Sequence, residues 1–172
     1  MIMKAVIFGG AGFIGSHVAD YLLEKGFQVK IFDICESRYL KPGHEMVVGD
    51  ILDFDAVEKA VAGCDYVYNF AGIADIDEAF KKPADTVKLN ILGNVHILEA
   101  IRKHGCKRFI YASTLYVYSD SGGFYKCSKQ ASEIYIETYN RHFNIDYTIM
   151  RFGTIYGPRA DRRNSVYRYI SE

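Results

Sequence analysis

Apolar residues in this chain follow two patterns: short unbroken runs, and longer stretches in which they recur every three or four positions. The runs at 5–8, 28–32, 46–48, 66–70, 109–112 and 147–150 read as strands, most of them buried on both sides. The stretch 16–25 carries Val18, Leu22 and Leu23 on one side and ends at Gly26, which predicts a helix with a glycine stop. Asp53 is placed to cap a helix containing Val57 and Val61. Residues 35–44 look irregular, and the polar segment 73–83, ending at Pro83, predicts a loop or short turn. Residues 85–104 predict a long helix through Val87, Ile91, Val95, Leu98 and Ile101, stopped by Gly105. A turn at 119–123 precedes a second long helix at 124–142, and Asn164 or Ser165 can cap a last one carrying Val166, Tyr169 and Ile170.

Alternation of strands and helices predicts an α/β fold with a doubly wound parallel sheet in three layers, built as a single domain with ligands at the carboxyl edge of the strands. At 172 residues, 49% hydrophobic and 24% charged, the chain can bury a substantial core, which excludes disorder. Twenty-one Lys and Arg balance 21 Asp and Glu, so net charge gives no reason to expect nucleic acid or an anionic membrane as partner. No run reaches the ~18 apolar residues of a membrane span. Lys4 followed by an apolar stretch imitates a secretory leader, but the glycines and the helical pattern behind it argue against one, so a cytoplasmic location is expected. The cysteines at 35, 64, 106 and 127 lie far apart, without paired spacing or clustered histidines, which predicts no metal site and reduced, mostly buried thiols. His17, His96, His104 and His142 read as surface or packing residues, and Arg159, Arg162 and Arg163 as a basic cluster suited either to a phosphate or to a solvated loop.

Candidate chemistry begins at Gly9-Gly10-Ala11-Gly12-Phe13-Ile14-Gly15, which joins the first strand to the first helix. Glycines there let the backbone approach a bulky anion, and the helix N-terminus adds free N–H groups, together a place for a pyrophosphate. A turn of this kind also serves merely to pack a helix on a strand; Asp33, eighteen residues after Gly15 at the end of the second strand, adds the acidic group that meets an adenosine ribose. Tyr125 and Lys129, four apart on one predicted helix, can share a face, and Ser113 and Thr114 end the fifth strand. A tyrosine working as a base near neutral pH needs its phenolate stabilised by about 4 kcal/mol, which a neighbouring ammonium and a cationic nicotinamide can supply. Thr114 offers a hydroxyl to hold the substrate oxygen whose proton Tyr125 takes.

In this order the motifs resemble the extended short-chain dehydrogenase/reductases, specifically the NAD-dependent nucleotide-sugar epimerase/dehydratase family. The glycine turn, Val48-Gly49-Asp50-Ile51, Phe70-Ala71-Gly72, Ser113-Thr114, Tyr125-Lys126-Cys127-Ser128-Lys129 and the segment Arg151 to Arg159 carry the resemblance, which spans nearly the whole chain. It implies a Rossmann-like domain at 1–158 and, at 159–172, the start of a truncated substrate-binding region. It further implies NAD as cofactor, held by Gly9, Gly12, Phe13, Ile14, Gly15, Asp33, Ile34, Asp50, Ile51, Phe70, Ala71, Gly72, Asn90, Tyr125, Lys129 and Phe152, with Thr114, Tyr125 and Lys129 catalytic. Asp33 would repel a 2′-phosphate and so favours NAD over NADP, with Arg38 the only nearby cation to oppose it.

Dehydratases of the family resemble one another in carrying Asp-Glu after the Thr, and decarboxylating relatives carry an acid there; Leu115 and Tyr116 occupy those positions here. The resemblance therefore implies 4-epimerisation of a nucleotide sugar: Tyr125 takes the hydroxyl proton, a hydride passes to NAD, and it returns to the opposite face of the keto-sugar. Thr154 stands where many epimerases have Asn, and the Thr114 to Tyr125 connection is short. Relatives are longer, so NAD binding with poor or no turnover is expected of these 172 residues. A homodimer through helices 85–104 and 124–142 is implied. A dehydratase or reductase of the same family, or a non-catalytic NAD(P)-binding module, remain the alternative readings.

Overall fold

The computed structural model describes residues 2–162 and 164–171. Six strands form one parallel sheet: β1 (Lys4–Phe8), β2 (Gln28–Asp33), β3 (His44–Val48), β4 (Tyr66–Asn69), β5 (Arg108–Thr114) and β6 (Tyr147–Phe152), in the order β3-β2-β1-β4-β5-β6. The order reverses between β1 and β4, so the chain opens a crevice there at the carboxyl edge. Successive residues of β1 divide between two cores: Val6 and Phe8 face one and Ala5 and Ile7 the other, as a strand buried on both sides requires.

The helices are α1 (Phe13–Glu24), α2 (Phe54–Val61), α3 (Ile76–Lys81), α4 (Pro83–Thr86), α5 (Gly93–His104), α6 (Gly123–Phe143) and α7 (Ser165–Ser171). The larger core joins the sheet to Val57 and Val61 of α2, Ile97 and Ile101 of α5 and Ile136 of α6, while Ala19 and Leu22 of α1 fill the other. Three layers result, as expected, but the helices divide unequally, because the connection between β2 and β3 is irregular and only α2 then crosses to β4.

Four local expectations are corrected. Helix α1 starts at Phe13 rather than at residue 16, since Gly12 serves as its N-cap and the glycine turn runs straight into it. The segment 73–83 is not a loop: Asp75 accepts the Glu78 N–H at 2.8 Å and caps α3. The long helix at 85–104 begins earlier, with Pro83 in the first turn of α4, and residues Val87–Leu92 form a π-helical stretch between α4 and α5. The cysteines are not mostly buried; only Cys64 is, Cys106 is half-buried, and Cys35 and Cys127 are exposed. In the last helix Asn164 makes the cap, accepting the Tyr167 N–H at 3.1 Å. Among the described residues no helix is long and apolar enough to cross a membrane.

Candidate active site at the carboxyl edge of the sheet

The turn after β1 is built by exclusion. Gly9 has φ +75°, and a Cβ on it would lie 2.6 Å from the Ala71 nitrogen, so only glycine lets β1 and the 70–72 loop close together. A Cβ on Gly15 would strike the Gly9 carbonyl oxygen, so α1 rests directly on the turn. Gly12 caps α1 with no side-chain bond, leaving N–H groups of the first turn to an anion. Asp33, at the end of β2, accepts the Ala11 N–H through Oδ2 at 2.9 Å, while its Oδ1 faces the Cys35 thiol at 3.9 Å.

The neighbouring residues sort differently from the expectation. Ile34 is 71% exposed beside Asp33, and exposed Asp50 spends Oδ1 on the Leu52 N–H. Ile51 instead belongs to the core, packed where a Cβ on Gly93 would stand, so its side chain lies under α5. Asn90 is buried and its amide is engaged with protein: Oδ1 accepts from the Ile73 N–H at 2.7 Å, and Nδ2 donates to Ile73 O and Ser128 Oγ, each at 2.9 Å. In the structure it ties the 70–73 loop to α6. Asn69 supports the same loop by accepting the Ala71 N–H.

Three side chains on one face of α6, Tyr125, Lys129 and Glu133, meet the end of β5. Thr114, 5% exposed, ends β5 and caps the short 3-10 turn Leu115–Tyr118. Burial pushes the Tyr125 phenol above its ordinary range, and the neighbouring Thr114 hydroxyl pulls the other way. Lys129 shares the face of Tyr125, as spacing predicts: its Nζ lies 5.8 Å from the Tyr125 ring centre and 4.8 Å from that of Tyr111, and donates to Ala112 O at 2.9 Å. Burial brings the ammonium down to about 8, and the Glu133 carboxylate opposes that. Phe152, at the end of β6, is half-buried next to this group.

Sequence reasoning missed Glu133. The signal was present: it stands one turn beyond Lys129, on the face Tyr125 and Lys129 share.

The arginine cluster resolves into an anchor. Arg159 donates to Asp20 at 2.7 Å and lies over the Tyr39 ring, while His17 bonds Pro158 O, so the segment after β6 is fastened across α1. Arg162 is exposed, and Arg163 lies outside the described residues. His96 bonds Ile51 O and His104 bonds Glu58. No three His, Cys, Asp or Glu among the described residues could hold a metal.

A parallel, doubly wound sheet with a glycine turn at its switch point defines a dinucleotide-binding α/β protein, here with a hydroxyl-bearing strand end beside a tyrosine and a lysine. The chain belongs to the NAD dependent epimerase/dehydratase family, whose profile matches residues 5–172. A putative UDP-glucose 4-epimerase of Methanocaldococcus jannaschii is 32% identical over 94% of this chain and 59% of that protein. A dTDP-D-glucose 4,6-dehydratase of Dictyostelium discoideum is 29% identical over 99% of this chain and 48% of its own length. The UDP-glucose 4-epimerase of Thermus thermophilus, solved as a complex with NAD, superposes with a TM-score of 0.88 at 27% identity, covering 97% of this chain and 61% of that one. The chain thus spans about half to three-fifths of the length of these relatives.

Proposed function

We propose that this chain provides the NAD-binding and proton-transferring part of a nucleotide-sugar 4-epimerase. The observation that carries the reading is the meeting of Thr114 and Tyr125 at the end of β5, on the same sheet edge as the glycine turn and Asp33. The residues fit the cofactor: Gly12 caps α1 without a side-chain bond, so first-turn N–H groups face outward, and among the described residues no main-chain donor meets Asp33 Oδ1. When bound, NAD supplies reversible acceptance of a hydride. The backbone of the glycine turn holds the diphosphate, and Asp33 accepts from a ribose hydroxyl and repels a 2′-phosphate.

Tyr125 takes the proton of the sugar 4-hydroxyl at its phenolic oxygen and later returns it, and Thr114 orients that hydroxyl by a hydrogen bond. Leu115 and Tyr116, 53% and 40% exposed, follow Thr114 directly and bring no carboxylate to the site, which favours epimerisation over elimination of water. A second reading, a non-catalytic dinucleotide-binding module, is favoured by one observation, the Lys129 hydrogen bond to Ala112 O instead of to the phenol.

The same reading assigns 1–158 to cofactor binding and the segment from 159 onward to the substrate side. It places the protein in the cytoplasm as a homodimer, supported by the exposed apolar side chains of Val87, Leu92, Ile134, Tyr135 and Phe143 along the two long helical stretches. Incubation with NAD and UDP- or GDP-sugars, with the 4-epimer read by NMR, tests the function. Tyr125→Phe is expected to lose at least about 100-fold of the measurable rate while keeping NAD affinity; equal, measurable rates in both proteins remove the catalytic assignment.

A further inference from the structure

Lys129 and Glu133 stand one helical turn apart on α6 and are 6% and 7% exposed. Each is received by a neighbouring residue of β5: Lys129 Nζ donates to Ala112 O at 2.9 Å, and Ser113 Oγ donates to Glu133 Oε1 at 2.5 Å. From β6, Arg151 grips the same carboxylate with Nε at 3.0 Å from Oε1 and Nη2 at 2.7 Å from Oε2, and its guanidinium lies 5.1 Å from the Tyr118 ring centre. Two strands therefore fix a buried carboxylate through donors that are not Lys129. The titratable groups facing the ammonium are Tyr125 and Glu133 from α6 and Tyr111 from β5; Arg151 of β6 stands on the far side of Glu133 as its ion-pair partner.

We propose that Glu133 is a positioning residue of the site: locked by Ser113 and Arg151, it supplies the fixed negative charge that holds the Lys129 ammonium at the end of β5. Burial against the Tyr111 and Tyr125 rings would otherwise favour the neutral amine. Burial lowers the Lys129 proton affinity and the Glu133 charge is the influence set against it, in agreement with the geometry. The value of this charge to the enzyme rests on the proposed function, in which Lys129 works as a cation; the electrostatic coupling itself does not.

The coupling is read without NAD or sugar. Lysine side chains labelled with nitrogen-15 are titrated by NMR in the full chain, with the Lys129 signal assigned from Lys129→Arg. Glu133→Gln is expected to lower the Lys129 midpoint by about one pH unit, and Glu133→Asp, which keeps the charge, to lower it less. A Glu133→Gln midpoint within a few tenths of the parent, in a protein that still unfolds cooperatively, overturns the proposal and leaves Glu133 a purely structural anchor. If Glu133→Gln does not fold, the joint change Glu133→Gln with Arg151→Met, which leaves no unpaired guanidinium, carries the test: a lowered midpoint is expected, an unchanged one again being the contrary result. Absence of NAD binding alongside a shifted midpoint would refute the proposed function alone.

Discussion

Asp33 and Ala11 are joined by a 2.9 Å hydrogen bond from the Ala11 N–H to Asp33 Oδ2, which fastens the end of β2 to the middle of the glycine turn. One oxygen of the carboxylate thus shapes the glycine turn; in the proposed function the other meets a ribose. Asp33→Asn keeps the shape and removes the charge. It is expected to weaken NAD binding about 10- to 100-fold while weakening NADP less, so that the preference between the two narrows; calorimetric titration of both nucleotides checks this.

Gly9 meets two constraints at once, a φ of +75° and the backbone of Phe70 and Ala71 at contact distance. Gly9→Ala is expected to cost about 2–4 kcal/mol, combining left-handed strain with overpacking. Gly26, with φ +81° but open space around it, isolates the strain, so Gly26→Ala should cost only about 1 kcal/mol. Denaturant unfolding of the two variants separates them.

Asn90 carries three hydrogen bonds into the 70–73 loop and α6. Asn90→Ala leaves the Ile73 N–H and C=O without these partners and is expected to destabilise by about 1–3 kcal/mol. The Ile73 amide should then exchange with solvent much faster, which hydrogen exchange reads directly. Unchanged protection at Ile73 would return Asn90 to the cofactor.

Lys129 gives a pH dependence of definite sign. Its folded value, about 8, lies below the unfolded one, so near pH 7 the protein carries the cost of a buried charge. That cost falls as pH rises from about 8 towards the unfolded value of about 10.4, where both states lose the proton. Lys129→Met is therefore expected to unfold at a higher temperature than the parent at pH 7, with the difference shrinking by pH 9.5, while its NAD affinity falls. Thermal melts across this range check the sign.

The order of strands and helices was legible because both faces of the sheet demand apolar residues: Val6 and Phe8 alternate with Ala5 and Ile7 in a single uninterrupted run. Helix α3 was missed because Asp75, its cap, sits in a polar stretch whose buried side comes down largely to Ala79. The π-helical stretch left no trace in spacing, since Val87, Ile91 and Val95 fit a regular helix equally well. At the site, spacing brought Tyr125 and Lys129 onto one face correctly. What it did not contain was the competition for the ammonium between the phenol and the Ala112 carbonyl, which depends on where β5 lies. Ile51 entered the expected cofactor contacts by resemblance, which says nothing of its burial under α5, a tertiary fact.

The account stands on NAD lying along the carboxyl edge of the sheet, and mapping backbone amide NMR shifts during a titration with NAD tests that most directly. Saturable changes are expected at residues 9–15, 33–34, 70–73, 113–116 and 125–129. Changes confined to the opposite edge, in the hollow lined by Lys4, Gln28, Glu45 and Cys64, or no saturable change at all, would contradict it.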